Sequence, residues 1–308
     1  MTKDEDTFFY TSMKNIMENT IESIKSRYNY RTSNPDYIDT GFCSMDFHRG
    51  DLIVIASRPS IGKTAFTLSL INQIAINRKI PVGYISLDGT EESLFGKRLI
   101  SINSGLPLVR INTGMLKNSE MGKFHESTSA LCKAPIYLIS EPNINFEILE
   151  WKAKTMIEER QVQLIIINGF ELIEELVDSE KEDYRYNLRS ILDKLKKFAV
   201  EQNIPVLLEI DLPSVEQDDE PTLQDFKKNM IIPYMADMVL LIHRNRLRNE
   251  VEKQEAKFNF AKNIRGCAGF DIPVTFNLKT AAFYMEKEEY CNSIFDVIKK
   301  YSKELLKK

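Results

Sequence analysis

From residue 37 onward, short apolar runs alternate with longer stretches whose apolar residues recur every three or four positions. The runs 52–56, 82–87, 135–139, 163–168, 205–210 and 237–242 are almost continuously apolar, as expected of strands buried on both faces. Between them, residues 64–77, 91–104, 119–131, 144–160, 186–202 and 223–235 carry helical spacing. Buried strands separated by helices predict an α/β fold with a mostly parallel central sheet. After Lys257 the pattern changes, and residues 258–261, 272–276 and 282–285 read as antiparallel strands that extend the sheet. Two amphipathic helices flank this body. Residues 8–27 place Phe9, Met13, Ile16, Met17, Ile21 and Ile24 on one face, ahead of a polar stretch, Tyr28–Asp36, broken by Asn34-Pro35. Residues 291–308 are Lys-rich, with Ile294, Phe295, Ile298 and Leu305 on the apolar side. The expected division is therefore 1–36 (linker helix and linker), 37–290 (main domain) and 291–308 (terminal helix). The first helix has to bury its apolar face, either on its own domain or on a neighbouring subunit.

One stretch carries chemistry. The apolar strand Leu52–Ala56 runs into Ser57-Arg58-Pro59-Ser60-Ile61-Gly62-Lys63-Thr64, and helical spacing begins at Ala65. A tight loop between strand and helix presents unpaired N–H groups and the positive helix end to a phosphate. In such a phosphate-binding loop Gly62 lets the backbone approach, Lys63 reaches the β- and γ-phosphates, and the Thr64 hydroxyl ligates Mg²⁺. Ser57 stands where the strict pattern has glycine. ATP and Mg²⁺ are the implied ligands.

Composition narrows the class. The chain has 308 residues, and its 43% apolar content supports a packed core. No apolar run is long enough for a membrane helix, and the acidic start, Met1–Asp6, lacks a signal-peptide pattern. Cys43, Cys132, Cys267 and Cys291 are scattered without metal-ligand spacing, which suits reduced thiols in a cytoplasm. His48, His125 and His243 show no metal spacing either, and Trp151 is expected in the core. A net charge of −4 argues against indiscriminate nucleic-acid binding but not against a local basic groove.

From about Asp39 to Met285 the chain resembles the RecA-like C-terminal motor domain of DnaB-type replicative helicases. The residues that carry the resemblance are Thr40-Gly41-Phe42 with Met45-Asp46, Arg58 to Phe66, Ser86-Leu87-Asp88, and Ile165-Ile166-Ile167-Asn168. Further along they are Leu192 to Ala199, Pro221 to Phe226, Ala236 to Val239, and Ala261-Lys262-Asn263-Ile264-Arg265-Gly266. The expectation is a motor lacking the family's amino-terminal domain, with only the 8–27 helix ahead of it. The resemblance implies an ATP-driven motor of DNA replication, working as a hexameric ring on single-stranded DNA. It also implies that the 8–27 helix docks on the adjacent subunit.

Residue by residue, the resemblance assigns the nucleotide cradle to Ser57 through Ala65, the Walker B position to Asn168, and the catalytic acid to Asp88. The γ-phosphate sensor falls on Asp211, and the finger reaching a neighbour's ATP on Lys262 and Arg265. Several of these depart from the family pattern. Asn168 replaces an aspartate and offers Mg²⁺ a neutral carbonyl, or is simply the polar end of a buried strand. Asp88 is one methylene shorter than the usual glutamate, and alternatively belongs to a turn with Thr90 capping the next helix. Asp211 replaces a glutamine and puts negative charge beside the γ-phosphate. Ile264 occupies the usual arginine place, with Arg265 one residue on, so a strand there would turn Arg265 to the other face unless a bulge intervened.

The loops that line the family's central pore carry Asp178, Glu180, Glu182 and Asp183, then Glu216, Asp218, Asp219 and Glu220, which oppose phosphate contacts. Arg185, Lys227 and Lys228 are the nearby candidates for DNA. A second basic set, Arg244 to Arg265, reads as interface or nucleotide-edge chemistry. Two functions follow as expectations: a helicase motor with weakened hydrolysis, or a nucleotide-holding paralogue that assembles with, loads or inhibits a true replicative helicase.

Overall fold

The computed structural model describes residues 11–29, 36–42, 45–177, 183–214, 219–244 and 253–285. The expected helix 291–308, Phe9, Cys43, Cys291, Arg246, Arg248 and most of the acidic loop residues lie outside them. Among the described residues a nine-stranded sheet forms the centre. Its strands are β3 (Leu52–Ser57), β4 (Val82–Ser86), β5 (Ile136–Ser140), β6 (Leu164–Asn168), β7 (Val206–Asp211), β8 (Met238–Arg244), β9 (Lys253–Asn263), β10 (Phe270–Asn277) and β11 (Ala282–Tyr284). The spatial order is β11-β10-β9-β8-β3-β7-β6-β4-β5. The six strands from β8 to β5 are parallel, and β9, β10 and β11 are antiparallel. Both parts were expected from the sequence, each strand to within a few residues.

The pleat of β3 explains why these strands read as unbroken apolar runs. Leu52, Val54 and Ala56 face one side, packed with Phe146 and Leu149 of α6 (Phe146–Arg160) and Leu192 and Phe198 of α7 (Tyr184–Gln202). Ile53 and Ile55 face the other, packed with Phe66 and Leu70 of α2 (Lys63–Ile71), Phe95 and Leu99 of α3 (Glu92–Ser104), and Phe258. With helices on both faces, no position of β3 can be polar-out, and all six residues are buried. Helix α2 is itself buried from Ala65 to Ile71, because β9 to β11 cover its far side. The Phe66 ring lies 4.2 Å from Phe258 and 5.9 Å from Phe283. The helix then continues through a π-helical stretch, Asn72–Asn77.

Three short elements carry too few apolar residues to show in the sequence. They are β1 (Tyr37–Asp39), β2 (Asp46–His48) and α4 (Leu108–Thr113), the last with only Ile111 buried. The remaining helices are α1 (Met13–Asn29), α5 (Met121–Cys132) and α8 (Ile231–Met235). In α1, the described side chains Met13, Ile16, Met17 and Ile21 are exposed rather than buried on their own domain. Trp151 corrects an expectation. Helix α6 buries Phe146, Leu149, Ala153 and Met156, and Trp151 lies off that stripe, 64% exposed. No helix among the described residues is long and apolar enough to cross a membrane.

Asp39 and Asp46 face each other across β1 and β2. Partial burial, then the charge of Asp39, pushes the Asp46 carboxyl up to about 6. A group with a raised folded-state value carries no penalty below its unfolded value. The penalty grows as the unfolded chain ionises first, and is complete above the folded value. Asp46→Asn should therefore leave stability unchanged near pH 3.5 and raise it at pH 7 and above. Urea denaturation across that range checks this; equal gains at both ends would contradict it.

Candidate functional site

The loop between β3 and α2 sits at the carboxyl end of the sheet. Ser57 is the last residue of β3, paired with Asp211 and Ile242 on its two sides, and it is not among the residues with positive φ. Glycine is therefore not required there, which explains how the loop forms with serine. The left-handed positions are Ser60 (φ 63°) and Gly62 (φ 115°). Ser60 is held by Arg244, which donates from Nη2 to its carbonyl at 3.1 Å while its guanidinium stacks 4.0 Å from the Phe276 ring centroid. Gly62 is the N-cap of α2, and a Cβ there would lie 3.1 Å from the Phe283 ring.

The side chains of Arg58 and Ile61 are engaged within the protein. Ile61 is buried in the core on the α2 side. The Arg58 guanidinium donates to the Pro213 carbonyl at 2.9 Å, the Asp219 carbonyl at 3.2 Å and Asp225 Oδ1 at 3.2 Å. It ties the phosphate loop to the segment after β7. Burial favours the neutral form of Asp225, but hydrogen bonds from Thr222 and the Arg58 charge outweigh it and hold its carboxyl below the usual range. Pro59 and Ser60 are exposed, and Ala65 is buried.

Lys63 and Thr64 open α2 and meet carboxylates from β7. Lys63 Nζ lies 2.9 Å from Asp211 Oδ1. The Thr64 hydroxyl lies 3.4 Å from Glu209 Oε2, and the Tyr84 hydroxyl 3.3 Å from Glu209 Oε1. Burial pushes Glu209 up to about 7; the Lys63 charge and hydrogen bonds from Thr67 and Tyr84 oppose it, and Asp88 adds to it. Glu171, in the turn after β6, is raised chiefly by burial and also by Asp211, and its Oε2 has no hydrogen-bond partner. Sequence reasoning missed Glu209 and Glu171, and had Arg244 only as one of the second basic set. Glu209 did leave a signal, as a lone acid inside Val206–Ile210.

Asp88 follows β4 and is fixed by four donors. Ser86 Oγ donates to Oδ1, as do Thr90 N at 2.9 Å and Thr90 Oγ1 at 2.6 Å, while Asn168 Nδ2 donates to Oδ2 at 2.9 Å. Burial works against the charge, but these bonds prevail and hold Asp88 below the ordinary carboxylate range. Thr90 does not cap the next helix, whose N-cap is Glu91. Asn168 thus positions Asp88. The oxygen donors here, a hydroxyl and carboxylates, match the preference of Mg²⁺. Among the described residues no three His, Cys, Asp or Glu side chains form a metal cage by themselves, so phosphate oxygens would complete the shell.

Lys262 and Arg265 lie elsewhere. The ladder of β8 and β9 shifts between Val239 and Leu240, leaving a bulge just before Lys262, and Ile264 and Arg265 fall in the turn beyond the strand. Lys262 Nζ donates to the Pro233 and Tyr234 carbonyls at 3.0 and 2.6 Å, and burial lowers its pKa. Arg265 donates to Asp51 from Nε at 3.1 Å and Nη2 at 2.6 Å, and these bonds raise its pKa. Asp51 precedes β3, whereas the phosphate loop follows it. The rise of the strand puts these two cations roughly 13 Å or more from the loop of their own chain. Of the DNA candidates, Arg185, Lys227 and Lys228 are exposed. Lys228 Nζ lies 5.8 Å from the Tyr184 ring centroid, and the Tyr184 hydroxyl donates to Asn229 Oδ1 at 3.2 Å, which puts Lys228 beside the start of α7. Lys257 pairs with Glu220 and Asp271, so part of the local acidity is neutralised.

The family model for the DnaB-like helicase C terminal domain matches residues 37–285. The chain belongs to that family. Among similar curated proteins is the replicative DNA helicase DnaB of Treponema pallidum (strain Nichols), 29% identical over 247 residues, which are 79% of this chain and 55% of that protein. Another is the probable plasmid replicative DNA helicase of Chlamydia psittaci, 28% identical over 295 residues, 91% of this chain and 63% of that protein. The chain thus spans little more than half the length of such relatives. Among solved structures, an isolated ATPase domain superposes with a TM-score of 0.76 at 19% identity, covering 89% of this chain and 98% of that one. A DnaB-like replicative helicase, solved with its interactions with primase, gives 0.75 at 18%, covering 89% and 67%. These structures share the fold of this DnaB-like domain.

Gly62→Ala should destabilise the domain by roughly 1–2 kcal/mol, the cost of a left-handed non-glycine residue. Chemical denaturation measures this, and an unchanged midpoint would contradict the loop geometry.

Proposed function

We propose that this DnaB-like chain is an ATP-binding motor of DNA replication that works in the cytoplasm as a homohexameric ring on single-stranded DNA, with weakened hydrolysis. The observation that carries the reading is Lys63, which opens α2 beside Thr64, 2.9 Å from Asp211, with its charge reaching Glu209. In this reading Lys63 and the backbone of residues 58–65 hold the phosphates, with Thr64 and the Asn168 carbonyl on the Mg²⁺ side. Asp88, kept ionised by its four donors, orients the attacking water. Bound Mg²⁺ would neutralise phosphate charge. Lys262 and Arg265, remote from their own loop, would serve the site of a neighbouring copy. The exposed apolar face of α1 would dock on that neighbour, and Arg185, Lys227 and Lys228 would line the DNA path.

Two features weaken such a motor. Asp211 competes with phosphate for Lys63, and Asn168 brings no charge to the metal. They favour a second reading, a nucleotide-holding subunit that assembles with, loads or inhibits a true replicative helicase.

Steady-state ATP turnover with Mg²⁺, with and without single-stranded DNA, separates the two. The motor reading predicts slow turnover that DNA raises and Lys63→Ala abolishes; ATP binding without turnover above that control would favour the second. Asp211→Gln should tighten ATP binding about fivefold, since a half-exposed ion pair contributes about 1 kcal/mol. An unchanged or weaker affinity would contradict the competition.

A further inference from the structure

We propose that Glu209 replaces the missing Walker B carboxylate, supplying from β7 the negative charge toward Mg²⁺ that Asn168 on β6 cannot. The inference rests on the nucleotide-binding reading above.

The geometry comes from the sheet. β6 and β7 are parallel neighbours, paired Ile165 with Val206, Ile166 with Leu207 and Ile167 with Leu208. One step beyond the last pair, Asn168 and Glu209 stand at the same level. Their faces agree as well. Ile165, Ile167, Val206 and Leu208 point to one side, and Ile166 and Leu207 to the other. Side chains alternate along a strand, so Asn168 and Glu209 both point to the α2 side. β7 lies directly against β3, which β6 does not. A carboxylate moved from β6 to β7 therefore moves one strand nearer the phosphate loop, and Glu209 Oε2 reaches 3.4 Å from the Thr64 hydroxyl.

The surroundings of Glu209 call for a cation. It is 1% exposed, its hydrogen-bond partners Thr64 and Tyr84 are neutral, and Lys63, whose charge reaches it, is paired with Asp211 instead. A buried carboxylate with no ion-pair partner of its own is costly, and a divalent ion beside Thr64 would offset that cost. Meanwhile Asn168 has been given other work: its amide donates to Asp88 at 2.9 Å. An aspartate at position 168 would instead repel Asp88. The exchange thus leaves a neutral group to position Asp88 and moves the metal-facing charge to the next strand.

The test measures equilibrium affinity for a fluorescent ADP analogue with Mg²⁺ and with EDTA, which requires no turnover. Wild type, Glu209→Gln, the double variant Asn168→Asp/Glu209→Gln, and Lys63→Ala are compared after thermal denaturation confirms folding. Glu209→Gln keeps the shape and removes a buried charge, so it should fold. The proposal predicts that Mg²⁺ tightens binding to the wild type at least tenfold. Glu209→Gln should lose most of that gain while its affinity in EDTA stays within about twofold, and the double variant should recover a substantial part of the gain. A purely structural Glu209 would change the denaturation midpoint but leave the Mg²⁺ gain intact, which would overturn the proposal alone. Wild-type binding that is absent, or equal to that of Lys63→Ala, would overturn the nucleotide reading and this inference with it.

Discussion

One ammonium group balances the acid-rich end of this sheet. Lys63 lies against Asp211 and within electrostatic reach of Glu209 and Glu171, and Asp88 acts in turn on Glu209. Burial raises the pKa of Glu209 and of Glu171, and the neighbouring negative charges of Asp88 and Asp211 add to it. The phosphates of a nucleotide would add still more negative charge. A site so composed receives them only if Lys63 leaves Asp211 and a divalent cation arrives with the ligand. That requirement links the phosphate loop, β7 and the end of β6 into one electrostatic unit.

The sheet sets the terms of that unit. β3, β7 and β6 are neighbours, so their carboxyl ends deliver the loop, Glu209 with Asp211, and Asn168 side by side. Arg58 and Arg244 then fasten the loop from two directions. Arg58 engages carbonyls and Asp225 beyond β7, and Arg244 reaches the Ser60 carbonyl from β8. Arg58 thereby links the phosphate loop to the stretch between β7 and β8, which carries Lys227 and Lys228. The cations at Lys262 and Arg265 are at the opposite end of the sheet.

Much of this was visible in the chain itself. The strands announced themselves because burial on both faces forces unbroken apolar runs, and the phosphate loop because strand, loop and helix are contiguous. The short elements β1, β2 and α4 left no periodic signal. Trp151 read as core because an aromatic on an amphipathic helix usually is, yet it sits off the buried stripe. The site was harder for a different reason. Asp88 and Asn168 could be placed by resemblance, but their hydrogen bond joins β4 to β6. Glu209 was a single acid in an apolar run, and its meaning depends on β7 lying against β3. The pairing of Arg265 with Asp51 likewise joins distant parts of the chain.

The most direct measurement is the Lys63 to Asp211 distance in a structure of this protein with a Mg²⁺-bound nucleotide. The charge balance at this end of the sheet predicts that the ammonium moves onto the phosphates and that Asp211 withdraws beyond about 4 Å, the limit of an ion pair. A nucleotide seated on the loop with Lys63 still paired to Asp211, or seated elsewhere on the chain, would contradict it.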